Sequence, residues 1–453
     1  MKDLTSGNEA RLIICFALPM LIGSLFQQFY NTVDSVVVGQ ALGKSALAAV
    51  GASFSIIFLL VSLIMGITMG ATILIAQYFG AKDMDKVKKT ISTTYLFTFY
   101  AAVAVTVTGL LCAGPILKLL KTPAEIYPMA RIYLNIIFAG MIMMFGYNGV
   151  SAILRGLGDS KTPLYFLIIA TVLNIILDLV FVLAFKWGVA GAAWATVTAQ
   201  GVSFILSLCY LDRTHEIFKF RWKDLYFDRK IFNLSLKIGL PTGIQQTLVA
   251  AGFMALLRIV NGFGTDTVAA YSAGSRLDSF AALPIMNISM AVSSFVGQNL
   301  GAKRPDRVQR GYLAAFAISG GISLFTTIAV ILFARPLIAV FNRDPNVVRL
   351  GADYLIIVGA FYIVFAGMFV NSGVLRGAGD TLIPMFITML SLWLIRIPVS
   401  AFLSAKMGPS GIWWGIPIGW IAGFIMSTLY YLKGNWKKKT ISSHIEEEGD
   451  YVV

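Results

Sequence analysis

Histidine is nearly missing from this sequence, and charge is scarce. The two histidines, His215 and His444, both lie in polar segments, which excludes a histidine-built metal site within any apolar region. The three cysteines, Cys15, Cys112 and Cys209, stand singly in apolar runs and offer neither a disulfide framework nor metal-ligand spacing. No set of His, Cys and Ser lies where a nucleophile could meet its base, so no enzyme active site is expected. Only 13% of the 453 residues are charged and 57% are hydrophobic, a balance that excludes an ordinary soluble domain.

What the chain has instead is a series of long apolar runs. A membrane-spanning helix needs about 20 mostly apolar residues. Runs that approach or exceed this occupy 12–33, 45–81, 90–117, 132–154, 162–177, 187–211, 238–257, 279–302, 311–334, 354–375, 381–395 and 407–432. The expected fold is an all-α membrane protein with twelve transmembrane helices, because lipid leaves backbone groups no partners outside the segment. The first run is long, and no small-residue cleavage signal follows it, so it is expected to be a retained span rather than a signal peptide.

The net charge of +14 invites a nucleic-acid partner, but its distribution argues for none. With the N-terminus placed in the cytoplasm, 24 Lys and Arg residues fall on that side and 8 on the other. That bias follows the positive-inside rule, so both termini are expected in the cytoplasm of a plasma-membrane protein, and the basic surplus reports topology. The last residues, with Glu446-Glu447-Glu448, read as a disordered tail.

The sequence also repeats itself. Gln77-Tyr78-Phe79-Gly80-Ala81-Lys82 returns as Gln298-Asn299-Leu300-Gly301-Ala302-Lys303, a spacing of 221. Leu154-Arg155-Gly156-Leu157-Gly158-Asp159 returns as Leu375-Arg376-Gly377-Ala378-Gly379-Asp380 at the same spacing. Six spans per half is an even number, so the halves are parallel repeats, a transporter plan with a site near the membrane midplane. The expected organisation is a six-helix lobe at 1–211, a cytoplasmic linker at 212–237, a second six-helix lobe at 238–435 and the tail at 436–453, with the lobes around a central cavity.

One stretch carries most of the chemistry. Residues 170–179, ATVLNIILDL, place Asn174 four residues before Asp178 in an otherwise uncharged run, on one face of a helix. An ionisable residue at membrane depth is expensive and marks a functional site. Its natural partner is Asp34, the lone charge of the first apolar stretch, which extends a stripe of Gln27 and Asn31 with Tyr30 beside it. Two carboxylates in one pocket titrate as a coupled pair and can hold a proton, or with Asn174 supply oxygen ligands to a hard cation. Thr196 and Gln200, four apart in the sixth span, either add ligands or serve as interhelical hydrogen-bond glue. Pro19 and Pro241 lie inside spans one and seven and are hinges or static kinks. The two Arg-Gly-x-Gly-Asp segments are expected to be turns; Arg276, Asp278 and Arg396 either pair internally or line a cavity, and a structural ion pair or an interfacial position is the expectation.

The chain resembles, over nearly its full length, the multidrug and toxic compound extrusion (MATE) transporters. The matching stretches are Tyr30-Asn31-Thr32-Val33-Asp34, Leu47-Ala48-Ala49-Val50-Gly51-Ala52, the duplicated segments above, and Asn174-x-x-x-Asp178 followed by Gly191-Ala192-Ala193 and Thr196. The resemblance implies an antiporter exporting small organic cations, driven by inward H⁺ or Na⁺ and needing no cofactor. It implies a coupling site at Asp34, Asn174, Asp178 and Thr196, with Na⁺ a possible occupant, and with Tyr30 and Asn148 nearby. Gln27, Tyr30, Asn31, Asn148 and Gln200 are candidates to line the substrate cavity. In related proteins the proline matching Pro19 bends the first helix when the site changes its protonation. Some branches of the family also carry acids on helices seven and ten. Here the seventh span has none, there is none between Asp353 and Asp380, and Ala255 stands at the repeat equivalent of Asp34. Coupling is therefore placed in the first lobe. The chain is expected to act as a monomer in the lipid bilayer. The alternative function is a flippase for lipid-linked oligosaccharide, which would want a basic cavity for a diphosphate.

Overall fold

Apolar runs that cannot give their backbone groups to water close those bonds within themselves, and this chain does so nearly throughout. The computed structural model describes residues 2–120, 122–214 and 225–438. The helices are α1 Glu9–Leu42, α2 Lys44–Gly80, α3 Met84–Leu119, α4 Tyr127–Ala139, α5 Met141–Gly156, α6 Lys161–Asp178 and α7 Val189–Thr214. They continue as α8 Arg229–Asn261, α9 Thr265–Gly301, α10 Pro305–Ala339, α11 Pro345–Gly359, α12 Tyr362–Gly377, α13 Leu382–Met389, α14 Ile397–Met407 and α15 Pro409–Lys433. No strand occurs among the described residues.

Among the described residues ten helices are long and apolar enough to cross a membrane, and two further helix pairs are broken spans. The pairs α4/α5 and α11/α12 bend by 50° and 49° at their joints, giving the twelve spans expected. Two spans contain a wider coil. α6 runs directly into a π-helical segment, Leu179–Ala184, and α13 into another, Leu390–Arg396, before α14. The tail at 436–453 lies almost wholly outside the described residues, as does the stretch 215–224 of the linker at 212–237.

The chain forms two compact units. The first comprises residues 1–2, 19–79 and 83–243, and the second 3–18, 80–82 and 244–453. In the first, α3 packs on α4 and α5, and α7 packs on α4, α5 and α6. Their core gathers Phe138, Met141, Phe145, Leu117, Leu134 and their neighbours. Backbones meet closely on another side, where a Cβ on Gly66 would fall 2.4 Å from Gly243 N and one on Gly70 would fall 2.3 Å from the Ser235 carbonyl oxygen. This is how small residues let membrane helices touch. In the second unit, α10 packs on α9, α11 and α12, and α15 on α11, α12 and α14. Its core is more aromatic, built on Tyr271, Tyr354, Tyr362, Trp413 and Trp420.

The 221-residue spacing recurs in three dimensions. Thr106 Oγ1 donates to the Phe138 carbonyl at 2.8 Å, and Thr327 Oγ1 to the Gly359 carbonyl at 2.6 Å. A Cβ on Gly156 would meet the Thr72 carbonyl at 2.9 Å, and one on Gly377 the Ser293 carbonyl at 2.5 Å. The Arg-Gly-x-Gly-Asp segments are turns, as expected. Gly158 and Gly379 take φ of 81° and 88°, a region that favours glycine, and Asp159 accepts from the N–H groups of Lys161 and Thr162 at 3.0 Å each.

Candidate functional site

The site is assembled at the end of α6. Asp178 is the last residue of regular α-helix before the π segment, and it is fully buried. A π segment leaves the α-helical ladder, and such segments recur at functional positions. Asn174, one turn earlier, is 2% exposed and faces the same way. With its amide oriented to satisfy its neighbours, Asn174 Nδ2 donates to Asp178 Oδ2 at 3.0 Å, and its oxygen accepts from Thr196 N at 3.3 Å. α6 and α7 pack against each other, which places Thr196 at this point. The Thr196 hydroxyl donates to the Ala192 carbonyl at 3.1 Å and accepts a long contact of 3.4 Å from Tyr30 Oη of α1. Asp34, one turn beyond Tyr30, is also buried, at 9% exposure.

Asp34 and Asp178 share one electrostatic neighbourhood, and both act on Tyr30 and on Tyr133 of α4. Each carboxylate keeps one buried oxygen, Oδ1, with no hydrogen-bond partner. Beside them is a narrow cavity lined by Gln27 and Tyr30 of α1, Thr171 and Asn174 of α6, and Thr196 and Gln200 of α7. Its interior admits about one water-sized body. Thr171 Oγ1 and Gln200 Oε1 are likewise buried and unpartnered. The pocket therefore has a surplus of acceptors and a size suited to an ion rather than to a drug. Two like charges this poorly solvated repel each other, and a bound H⁺ or small cation removes that repulsion.

Most of the residues singled out in the sequence meet here, but two do not. Asn31 is exposed, and Asn148 spends its amide on the Met144 carbonyl of its own helix at 2.8 Å. Neither lines this cavity, nor do Asp34 and Asp178, which lie beside it. Two residues were missed. Thr171 lies three positions before Asn174, so helical spacing alone places it on the same face. Tyr133 carries no such signal. The ion pair expected among Arg276, Asp278 and Arg396 does not form, since Arg276 is exposed and Asp278 instead accepts from Tyr354 Oη at 3.4 Å. Among the described residues no group of three or more His, Cys, Asp or Glu could hold a metal. Pro19 is a buried residue within α1, at the point where that helix leaves the second unit's residues for the first's.

Comparison with known proteins places the chain. The MatE family model matches residues 19–180 and again 241–402, one match per repeat. The probable multidrug resistance protein YpnP of Bacillus subtilis is 34% identical over 441 residues, covering 96% of this chain and 97% of that protein. The probable multidrug resistance protein NorM of Thermotoga maritima is 29% identical, over 95% of this chain and 93% of its own length. A crystal structure described as MATE in the bent conformation superposes with a TM-score of 0.91 at 24% identity, covering 96% of this chain and 98% of that one. The chain belongs to the MATE family of membrane transporters.

Proposed function

We propose that this transporter is an antiporter that exports organic cations from the cytoplasm in exchange for H⁺ or Na⁺ bound at Asp34, Asn174, Asp178 and Thr196. The observation that carries the reading is the pairing of two buried carboxylates, each with an unpartnered oxygen, beside an ion-sized cavity. The multidrug-resistance names of the relatives YpnP and NorM support the export half of the reading.

The cycle follows from charge. Facing outward, the carboxylates take up the ion, lose their net negative charge and weaken their hold on a cationic drug. Facing inward they release the ion and attract the next drug. An ion drives this only by binding the two states unequally. One charge crossing 100 mV supplies about 2.3 kcal/mol, roughly fiftyfold in concentration. Pro19 is the hinge through which α1 responds, because a proline within a helix lacks the N–H that would hold that turn straight. Gln27, Tyr30 and Gln200 form the mouth of the ion pocket. Both termini lie in the cytoplasm, and the protein works as a monomer in the plasma membrane.

Replacing Asp178 with Asn keeps the size of the side chain and removes its charge. Cells carrying Asp178→Asn should lose drug resistance and dye efflux while the protein accumulates in the membrane at its normal level. Unchanged efflux would end the proposal.

A further inference from the structure

The second unit holds a separate pair of opposite charges that the exchange cycle does not use. Arg396 ends the π segment between α13 and α14 and is 92% buried, since only 8% of it is exposed. Its guanidinium lies over the Phe253 ring at 5.5 Å. Its Nε is buried with no acceptor. Across from it, Asp278 of α9 accepts from Tyr354 Oη at 3.4 Å, while Tyr362 turns a buried hydroxyl toward the same carboxylate without closing a good hydrogen bond. The carboxylate and the guanidinium feel each other's field, together with Tyr271 and Tyr354, yet they do not join in an ion pair. Trp413, stacked on Tyr271 at 5.9 Å and edge-on to Tyr354 at 5.1 Å, also keeps its indole N–H buried without an acceptor.

This arrangement is the reverse of the one in the first unit. There the buried groups lack donors or cations, and here the unmet groups are donors. The position of Arg396 is built rather than incidental. A Cβ on Gly419 of α15 would fall 2.8 Å from Arg396 Cβ, so the glycine makes room for the arginine's stem. A guanidinium at membrane depth is costly, and such residues face a protein interior or a pathway. A guanidinium whose buried Nε lacks an acceptor matches one group above others, a planar carboxylate that can bind it through two parallel bonds.

We infer that Arg396 recognises a carboxylate on the transported molecule, so that the second unit gives the transporter selectivity for zwitterionic over purely cationic substrates. Asp278, contacted by the Tyr354 hydroxyl, stands ready for the substrate's positive end. The inference rests on the export reading above and adds a residue that sorts among exported compounds.

The test uses two probes that differ only at one group, a rhodamine with a free carboxylate and its methyl ester. Transport of each is followed in proteoliposomes of the wild type, Arg396→Gln and Arg396→Lys. Arg396→Gln should slow transport of the free acid by roughly tenfold to hundredfold, the range for one hydrogen bond to a charged group. Transport of the ester should change by less than about twofold on the same conversion, and it serves as the check that the variant is folded. Arg396→Lys, which keeps the charge but loses the fork, should fall between. Equal losses for both probes, no loss for either, or a wild type that moves the ester but not the acid would each overturn the inference. A wild type that moves neither dye would instead defeat the export reading, and this inference with it.

Discussion

At the scale of single residues, the account turns on acceptors that have no donors. Asp178 has one bond, from Asn174, and Asn174 in turn is held by Thr196 N. Asn174→Ala should therefore leave Asp178 without its one donor. The cost expected for stripping a partner from a buried charged group is about 1–3 kcal/mol, seen as a lower melting temperature in detergent, and export should fall with it. Thr171→Val tests a subtler point. It fills the place of an unpartnered hydroxyl with a methyl group, so the fold should be unharmed or slightly stabilised, whereas affinity for the coupling ion should drop about tenfold in a binding titration. Equal ion affinity would remove Thr171 from the site. Much at this scale was legible in the sequence. Asn174 and Asp178 announce themselves as the polar pair of an apolar run, and Asp34 as the lone charge of another. Asn31 and Asn148 lie outside the ion pocket, because a polar side chain in an apolar helix has two outlets. Asn148 bonds back to its own backbone one turn earlier, and sequence does not distinguish that from facing a pocket.

At the scale of elements, the helices followed directly from apolar length, and their irregularities did not. The π segments after Asp178 and ending at Arg396 leave no mark in composition, yet each carries a residue that the account depends on. The sharp joints between α4 and α5 and between α11 and α12 lie in runs that read as single spans, because a bend costs no apolar residue. Pro19 was visible, since proline is the one residue that removes a helix bond by its own chemistry. Pro19→Ala should restore that bond and leave thermal stability equal or higher, while transport falls at least about tenfold, measured as dye efflux per molecule of protein. Unimpaired efflux would make Pro19 a static kink. Gly70→Val makes the opposite prediction. Its side chain would strike the Ser235 carbonyl 2.3 Å away, so the yield of monodisperse protein in detergent should collapse regardless of the transport step.

At the scale of the whole molecule, duplication was the strongest message in the sequence, and the structure repeats it in hydrogen bonds, turns and joints. The boundary between the two compact units was not legible. It passes through α1 between Leu18 and Pro19 and through α8 between Gly243 and Ile244, inside uninterrupted helices where composition does not change. The repeats have the same framework and different charges. One carries a carboxylate pair with too few donors, and the other an arginine whose buried Nε has no acceptor. Topology is testable at this scale as well. On the proposed topology, which puts the basic loops and both termini in the cytoplasm, a fluorescent protein fused after Val453 should glow and an alkaline phosphatase in the same place should stay inactive.

The most direct test of the central claim is dye movement into everted membrane vesicles, with pH and sodium gradients imposed one at a time, for the wild type and for Asp34→Asn and Asp178→Asn at matched protein levels. The account predicts that one of the two gradients drives dye accumulation in wild-type vesicles and that neither does so in the variants. Gradient-driven accumulation in Asp178→Asn vesicles at the wild-type rate would contradict it.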